Sequence, residues 1–292
     1  MDPALLARLD ALLARLEPLL PPPAAPSDWR ALAYRWRTRD YLGGPRGRLE
    51  PVEHVARIEA SDLQHVERQK QALLANTAQF VRGLPANNVL LTGARGTGKS
   101  SLIRACLVAY ADQGLRLIEV DKRDLVDLPD IVACVAGRPE RFIVFCDDLS
   151  FEEGESSYKA LKAALDGSVA AAGENLLIYA TSNRRHLMPE YMRENLDTKY
   201  QEDGEIHPGE SVEEKISLSE RFGLWLSFHP FRQDDYLDIV AHWLRHFGVA
   251  DAQIAAGRAE ALQFALQRGS RSGRVALQFA RDYAGRLGLA AR

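Results

Sequence analysis

The residues best equipped for chemistry stand together in Gly93-Ala94-Arg95-Gly96-Thr97-Gly98-Lys99-Ser100, which satisfies G-x-x-x-x-G-K-[ST]. Glycines let such a loop curl until several backbone N–H groups converge on one phosphate. Lys99 adds a compact cation for the β- and γ-phosphates, and the Ser100 hydroxyl is a ligand for Mg²⁺. Nucleotide-binding positions therefore run from Gly93, Ala94, Arg95, Gly96, Thr97, Gly98, Lys99 and Ser100 to Ser101, although the Arg95 side chain itself reads as a solvated loop residue. A chance glycine-rich turn would satisfy the same pattern, and the flanking elements argue against it. Val89, Leu90 and Leu91 form a short apolar run that reads as a buried strand, and Ser101 to Asp112 carries Leu102, Ile103, Cys106, Leu107 and Tyr110 at helical spacing.

A second group of polar residues closes an apolar strand. Phe142-Ile143-Val144-Phe145-Cys146 ends in Asp147-Asp148, the Walker B arrangement, in which one acid holds Mg²⁺ or its water and the next polarises the attacking water. Asp147 suits the metal and Asp148 the base. Asp is one methylene shorter than the Glu more common at the second position, so Glu152 is a reserve candidate for the base. Asn183, at the tip of Ala180-Thr181-Ser182-Asn183, is placed to hydrogen-bond a γ-phosphate or its attacking water; an isolated Asn at a strand end is otherwise a turn residue. His242 and His246 lie one turn apart on a helix and could bind a metal, but no catalytic constellation accompanies them.

Positioning these groups calls for alternating strands and helices. Leu115 to Val120, Arg141 to Cys146, Asn175 to Thr181 and Leu224 to Phe228 read as further strands, with a helix at Ser157 to Leu165 between the second and third of these. Such alternation implies a parallel sheet covered on both faces, with its sites at the carboxyl ends of the strands. From Met188 to Val212 the apolar periodicity lapses and the second half turns acidic, which reads as a mobile loop or a partner-facing insertion. Beyond Gln233 the chain is helical, and its last helix begins near Ser272 with Arg274 in the first turn.

The N-terminal part reads as a mostly helical extension. Leu5, Leu9, Leu12, Leu16 and Leu19 alternate spacings of four and three, giving an amphipathic helix that either docks on its own domain or engages a partner, and Pro21 to Pro23 end it. Trp29 to Arg48 interleaves Trp29, Tyr34, Trp36 and Tyr41 with six arginines, a mixture that either stacks bases and tracks phosphates or forms a small packed subdomain with a solvated basic face. Ser61-Asp62-Leu63-Gln64 reads as a capping box that opens the helix leading to the phosphate loop. These features divide the chain into an extension over 1–60, an α/β core over 61–231 and a helical lid over 232–292.

Composition sets the outer limits. With 292 residues, 46% hydrophobic and 26% charged, the chain can bury a sizeable core. A net charge of -3 does not suggest a generalised nucleic-acid binder, though it leaves room for a local basic patch. Cys106, Cys134 and Cys146 lack metal-ligand spacing and read as buried free thiols of a reducing compartment. Charges within the first apolar region argue against a signal peptide, and no apolar run is long enough to span a bilayer, so the expected location is cytoplasmic, without membrane contact.

In order, the phosphate loop, Asp147-Asp148, Asn183, Arg221 just before the last strand and Arg274 in a C-terminal helix resemble the Walker A, Walker B, sensor 1, arginine finger and sensor 2 of AAA+ ATPases. More narrowly, NNVLLTGARGTGKSSLIRA, RFIVFCDDLSFEEGE, LLIYATSNRRHLMPE and EKISLSERFGLWLSFHPF closely resemble the bacterial AAA+ family named domain of unknown function 815, from about Trp29 onward. The resemblance implies an α/β core with a five-stranded parallel sheet, a small α-helical lid, ATP with Mg²⁺ as ligands, and assembly into rings or arcs. It supplies no substrate. Three roles stay open: a nucleic-acid-associated ATPase like the helicase loaders, whose SERFG-like segments are similar, a protein-remodelling or regulatory switch acting on a polypeptide, or a non-motor adaptor that nucleotide merely stabilises.

Overall fold

The computed structural model describes residues 3–16, 23–26, 28–41, 43–56, 58–151, 155–166, 175–183 and 218–290. Its strands are β1 (Ala33–Tyr41), β2 (Gly44–Pro51), β3 (Val89–Gly93), β4 (Leu115–Glu119), β5 (Arg141–Cys146), β6 (Leu176–Ser182) and β7 (Leu224–Phe228). The helices are α1 (Pro3–Leu16), α2 (Glu67–Val81), α3 (Lys99–Tyr110), α4 (Leu128–Val135), α5 (Ser156–Leu165), α6 (Gln233–His246), α7 (Asp251–Gln267) and α8 (Gly273–Ala290).

All seven strands form one sheet in the order β2-β1-β4-β5-β6-β3-β7, so the expected five parallel strands are extended by two. The added pair corrects the expectation of a mostly helical extension: β1 and β2 form an antiparallel hairpin, and β1 joins β4 in parallel with Tyr34 opposite Ile118. Arg35, Arg37 and Arg39 alternate with Tyr34, Trp36 and Thr38, and the pleat of a strand sends the two sets to opposite faces. Tyr34 and Trp36 are accordingly core residues and not a base-stacking platform: Trp36 is 1% exposed and donates from Nε1 to Asp127 at 2.9 Å, while the half-buried Trp29 packs against that core under the Arg138 guanidinium.

The sheet is sandwiched. On one face α2 and α3 bury Leu73, Phe80, Leu102, Ile103 and Cys106 against Leu91, Ile143 and Tyr179. On the other, α4 and α5 bury Ile131 and Leu161 against Tyr34, Trp36, Phe142 and Val144. The buried Tyr179 hydroxyl is satisfied by Asn76 at 3.0 Å and Thr77 at 2.9 Å. Helices α6 to α8 pack around their own centre of Tyr236, Ile239, Val240, Leu244, Ala276 and Phe279.

Two further expectations are revised. The cap before α2 is not at Ser61: Glu59 and Asp62 cap a single tight turn, His65 then adopts φ 61°, a left-handed backbone that a helix cannot contain, and α2 opens only at Glu67. Along α1, Leu6, Leu9, Leu12, Leu13 and Leu16 are all exposed, in place of a stripe docked on its own domain. The cysteines are free; burial pushes the Cys106 thiol up to about 12, and Cys134 is only partly buried. Among the described residues, no helix is long and apolar enough to cross a membrane.

Candidate nucleotide-binding site

Register brings the polar residues to one edge of the sheet. Strand β6 lies between β5 and β3, with Ala180 opposite both Cys146 and Leu90 and Ser182 opposite Thr92. Parallel pairing thus sets the residues that follow β5, the end of β6 and the loop after β3 side by side at the strands' carboxyl ends.

The phosphate loop has the backbone that its glycines permit. Gly93, Gly96 and Gly98 have φ of 128°, 74° and 98°, and a Cβ on Gly93 would stand 1.9 Å from the Phe228 carbonyl oxygen. Gly98 is the N-cap of α3 and offers no side chain to its first turn, whose N–H groups have no partner within the helix. The Thr97 hydroxyl closes the loop by donating to the Ala94 carbonyl at 2.8 Å.

Lys99 is buried, with Nζ donating to the Gly93 and Ala94 carbonyls at 2.8 Å each and to Asn183 Oδ1 at 3.0 Å. Burial holds its ammonium below the usual lysine range; Asp147 and Asp148 oppose that shift, and Arg95 and Arg274 add to it. Asn183 presents its other end to the Walker B acids: Nδ2 donates to Asp148 Oδ1 at 2.5 Å. The Ser100 hydroxyl donates to Asp147 Oδ1 at 2.6 Å.

Sequence reasoning misses Thr181. Its hydroxyl donates to Asp147 Oδ1 at 2.6 Å and accepts from the Asp148 backbone N–H at 2.9 Å, so one side chain holds both acids. The available signal is its position two residues before Asn183, which in a strand places both on one face. Asp148 itself has φ 54°, a left-handed conformation costly for a residue other than glycine, and Thr181 anchors it through both the hydroxyl and the carbonyl that accepts from Leu149 N–H at 2.7 Å.

The lid meets the loop through α8. The Gly273 N–H donates to the Gly96 carbonyl at 2.9 Å, and a Cβ on Gly96 would meet the Ser272 side chain at 2.8 Å and the Arg274 Cβ at 3.5 Å. Arg274 thus begins α8 beside the phosphate loop. Arg221 lies elsewhere, its Nε donating to Asp166 at the C-terminal end of α5. Glu152, the reserve base, lies outside the described residues, as does the acidic stretch over 188–212. His242 faces Asp62 at 3.5 Å, and among the described residues no cluster of three or more His, Cys, Asp or Glu could hold a metal.

The donor set fits a nucleotide with Mg²⁺. A buried ammonium and the uncapped start of a helix face the same edge as the Ser100 hydroxyl and the Asp147 carboxylate, which are hard oxygen donors 2.6 Å apart.

Comparison with known proteins agrees with this architecture. The family described as "Protein of unknown function (DUF815)" matches residues 29–287. No curated protein matches the chain. Among solved structures, a point mutant of Thermotoga maritima RuvB superposes with TM-score 0.50 at 18% identity over 76% of this chain and 63% of its own. A second point mutant of that RuvB gives TM-score 0.51 at 16% identity, covering 82% and 68%, and the Aeropyrum pernix ORC1 protein, solved in complex with DNA, gives 0.51 at 17%, covering 82% and 63%. This chain spans less than two thirds of the first RuvB chain, and at these identities the likeness is one of fold. The chain belongs to the DUF815 family and has the AAA+ P-loop fold, an α/β sheet followed by a helical lid.

Proposed function

We propose that this protein is a Mg²⁺-dependent ATPase, organised as an N-terminal extension over 1–60, a core over 61–231 and a lid over 232–292, that couples its nucleotide state to remodelling or loading of a macromolecular partner. The observation that carries the reading is the continuous polar chain Lys99–Asn183–Asp148, with Ser100, Asp147 and Thr181 beside it. Lys99 and the first turn of α3 bind the phosphates. Ser100 and Asp147 would hold Mg²⁺, which neutralises charge on the phosphate oxygens when bound. Asp148 accepts the proton of the attacking water, and Asn183 orients that carboxylate and senses the terminal phosphate. Arg274 closes the lid on the loop, and Arg221 serves a neighbouring copy in a ring or arc.

The partner is taken to be nucleic acid, in the manner of the helicase loaders that the sequence resembles. A polypeptide partner is the second reading, favoured by the exposed leucines of α1. No membrane role is proposed, and a cytoplasmic location fits the free cysteines. The test is binding and turnover of ATP with and without Mg²⁺. Lys99→Ala is expected to weaken binding at least about 10-fold, since a charge-assisted hydrogen bond contributes ~1.5–3 kcal/mol. Wild-type protein that holds ATP no better than Lys99→Ala would overturn the reading.

A further inference from the structure

The β1–β2 hairpin has two chemically different faces. Tyr34, Trp36 and Leu49 are buried toward the core, and Gly47 lies so close to Trp36 that a Cβ there would stand 2.0 Å from its ring. On the opposite face the register sets Arg35 against Glu50, Arg37 against Arg48 and Arg39 against Arg46, with Tyr41 at the turn end. Two of these three cross-strand pairs are of like charge, an arrangement that by itself destabilises a sheet.

Among the described residues, counter-charge on that face is scarce. Glu50 accepts from both Arg39 at 2.9 Å and Arg48 at 2.6 Å. Glu119 accepts from Arg35 at 2.6 Å and lies 3.7 Å from Arg104 of α3, while Asp121 stands 3.9 Å from Arg37. Arg46 has no ion pair among the described residues. Among the described residues, five guanidinium groups thus share three carboxylates and Arg46 pairs with none, in a chain whose net charge is -3. Arg37 and Arg39 keep 44% and 57% of their side-chain surface exposed. The hairpin carries five arginines and no lysine, and only the guanidinium is a planar fork that meets phosphate oxygens two at a time.

We propose that this arginine face binds the phosphate backbone of duplex nucleic acid without reading its sequence, which deepens the nucleic-acid reading of the partner given above and rests on it. Duplex is favoured over single strand because Tyr34 and Trp36 are turned into the core, and Tyr41, the one ring on the arginine face of the hairpin, makes no row on which successive unpaired bases could stack. A two-stranded ribbon also has dimensions that a duplex groove admits. The site lies on β1 and β2, apart from the phosphate loop after β3, and its charge is present whatever the nucleotide state.

The test is a salt series of anisotropy titrations with a labelled mixed-sequence duplex of about 30 base pairs, without nucleotide, so that its failure is distinguishable from a failure of ATP binding or turnover. Wild-type protein is expected to bind in the range of about 10⁻⁴ to 10⁻⁶ M at physiological salt. Arg37→Ala with Arg46→Ala is expected to flatten the slope of log K against log salt by about 2, and Arg37→Lys with Arg46→Lys to retain it. Thermal melting of each variant establishes that the hairpin stays folded. The proposal is overturned if the alanine pair keeps the wild-type slope, if wild-type protein does not bind duplex at low salt, or if polyglutamate binds the same face as tightly as the duplex.

Discussion

The Asn183 amide donates to the Asp148 carboxylate at 2.5 Å while its oxygen accepts from Lys99 at 3.0 Å, so the two ends of one side chain join the buried cation of the glycine-rich loop to the candidate base. Removing either end should separate binding from chemistry. Asp148→Asn is expected to bind ATP with near wild-type affinity and to lose about 10² to 10⁴ in turnover, because proton acceptance matters mainly in the transition state. Wild-type turnover in Asp148→Asn would move the base to Glu152. Asn183→Ala is expected to lower turnover as well, with a smaller loss of affinity from the Lys99 contact.

Thr181→Val keeps the size of the side chain and removes the hydroxyl that holds Asp147 and the Asp148 N–H together. Asp148 in its left-handed conformation then loses an anchor, and an amide N–H is left without its partner. The expected result is a drop in turnover of about 10-fold or more, together with a destabilisation of roughly 1–3 kcal/mol in denaturant unfolding. Thr181→Ser should restore both.

The contact between Gly273 and Gly96 makes lid position sensitive to the loop. Gly96→Ala introduces a methyl 2.8 Å from the Ser272 side chain at a φ of 74°, and should push α8 away from the phosphates. Small-angle scattering with ATP and without it is expected to show lid closure in wild-type protein and little change in Gly96→Ala or Arg274→Ala. A lid that holds one position in every nucleotide state would rule out Arg274 as its sensor.

Arg221 is paired with Asp166 in the single chain, and its proposed role requires a neighbour. Arg221→Ala is expected to bind ATP yet hydrolyse it about 10³ to 10⁵ times more slowly. Mixing it with Lys99→Ala protein, which contributes an intact Arg221, should recover part of the activity at mixed interfaces. Absence of rescue, with a protein that stays monomeric in ATP and Mg²⁺, would leave Arg221 as the structural partner of Asp166.

Gly47→Ala tests the hairpin alone. The added methyl has no space beside the Trp36 ring, and overpacking at such a contact costs about 1–3 kcal/mol, read as a lowered denaturation midpoint. Nucleotide binding at the phosphate loop should be nearly unchanged when measured well below that midpoint.

The phosphate loop and the strands around it are legible in the residues because their signals are local. The run over β5 has the same ends, Arg141 and Cys146, in the sequence as in the fold, since an uninterrupted apolar stretch closed by two acids leaves little choice of bounds. The same locality explains the misreadings. Tyr34 to Arg39 carries a period of two, but only pairing with Ile118 and Glu119 of β4 makes the hairpin part of the main sheet and turns Trp36 inward, and such pairing joins residues more than eighty positions apart. The cap before α2 escapes sequence reasoning because His65 takes a left-handed conformation that is uncommon for any residue but glycine and leaves no periodic mark in the sequence. By itself, then, the sequence determined the order in which the phosphate loop, Asp147-Asp148, Asn183, Arg221 and Arg274, the residues proposed to handle the nucleotide, occur along the chain. Tertiary structure decided that Thr181 holds both acids, that Asn183 spans from Lys99 to Asp148, and that five arginines share one open face, because each depends on register between strands distant in the chain or paired across a hairpin.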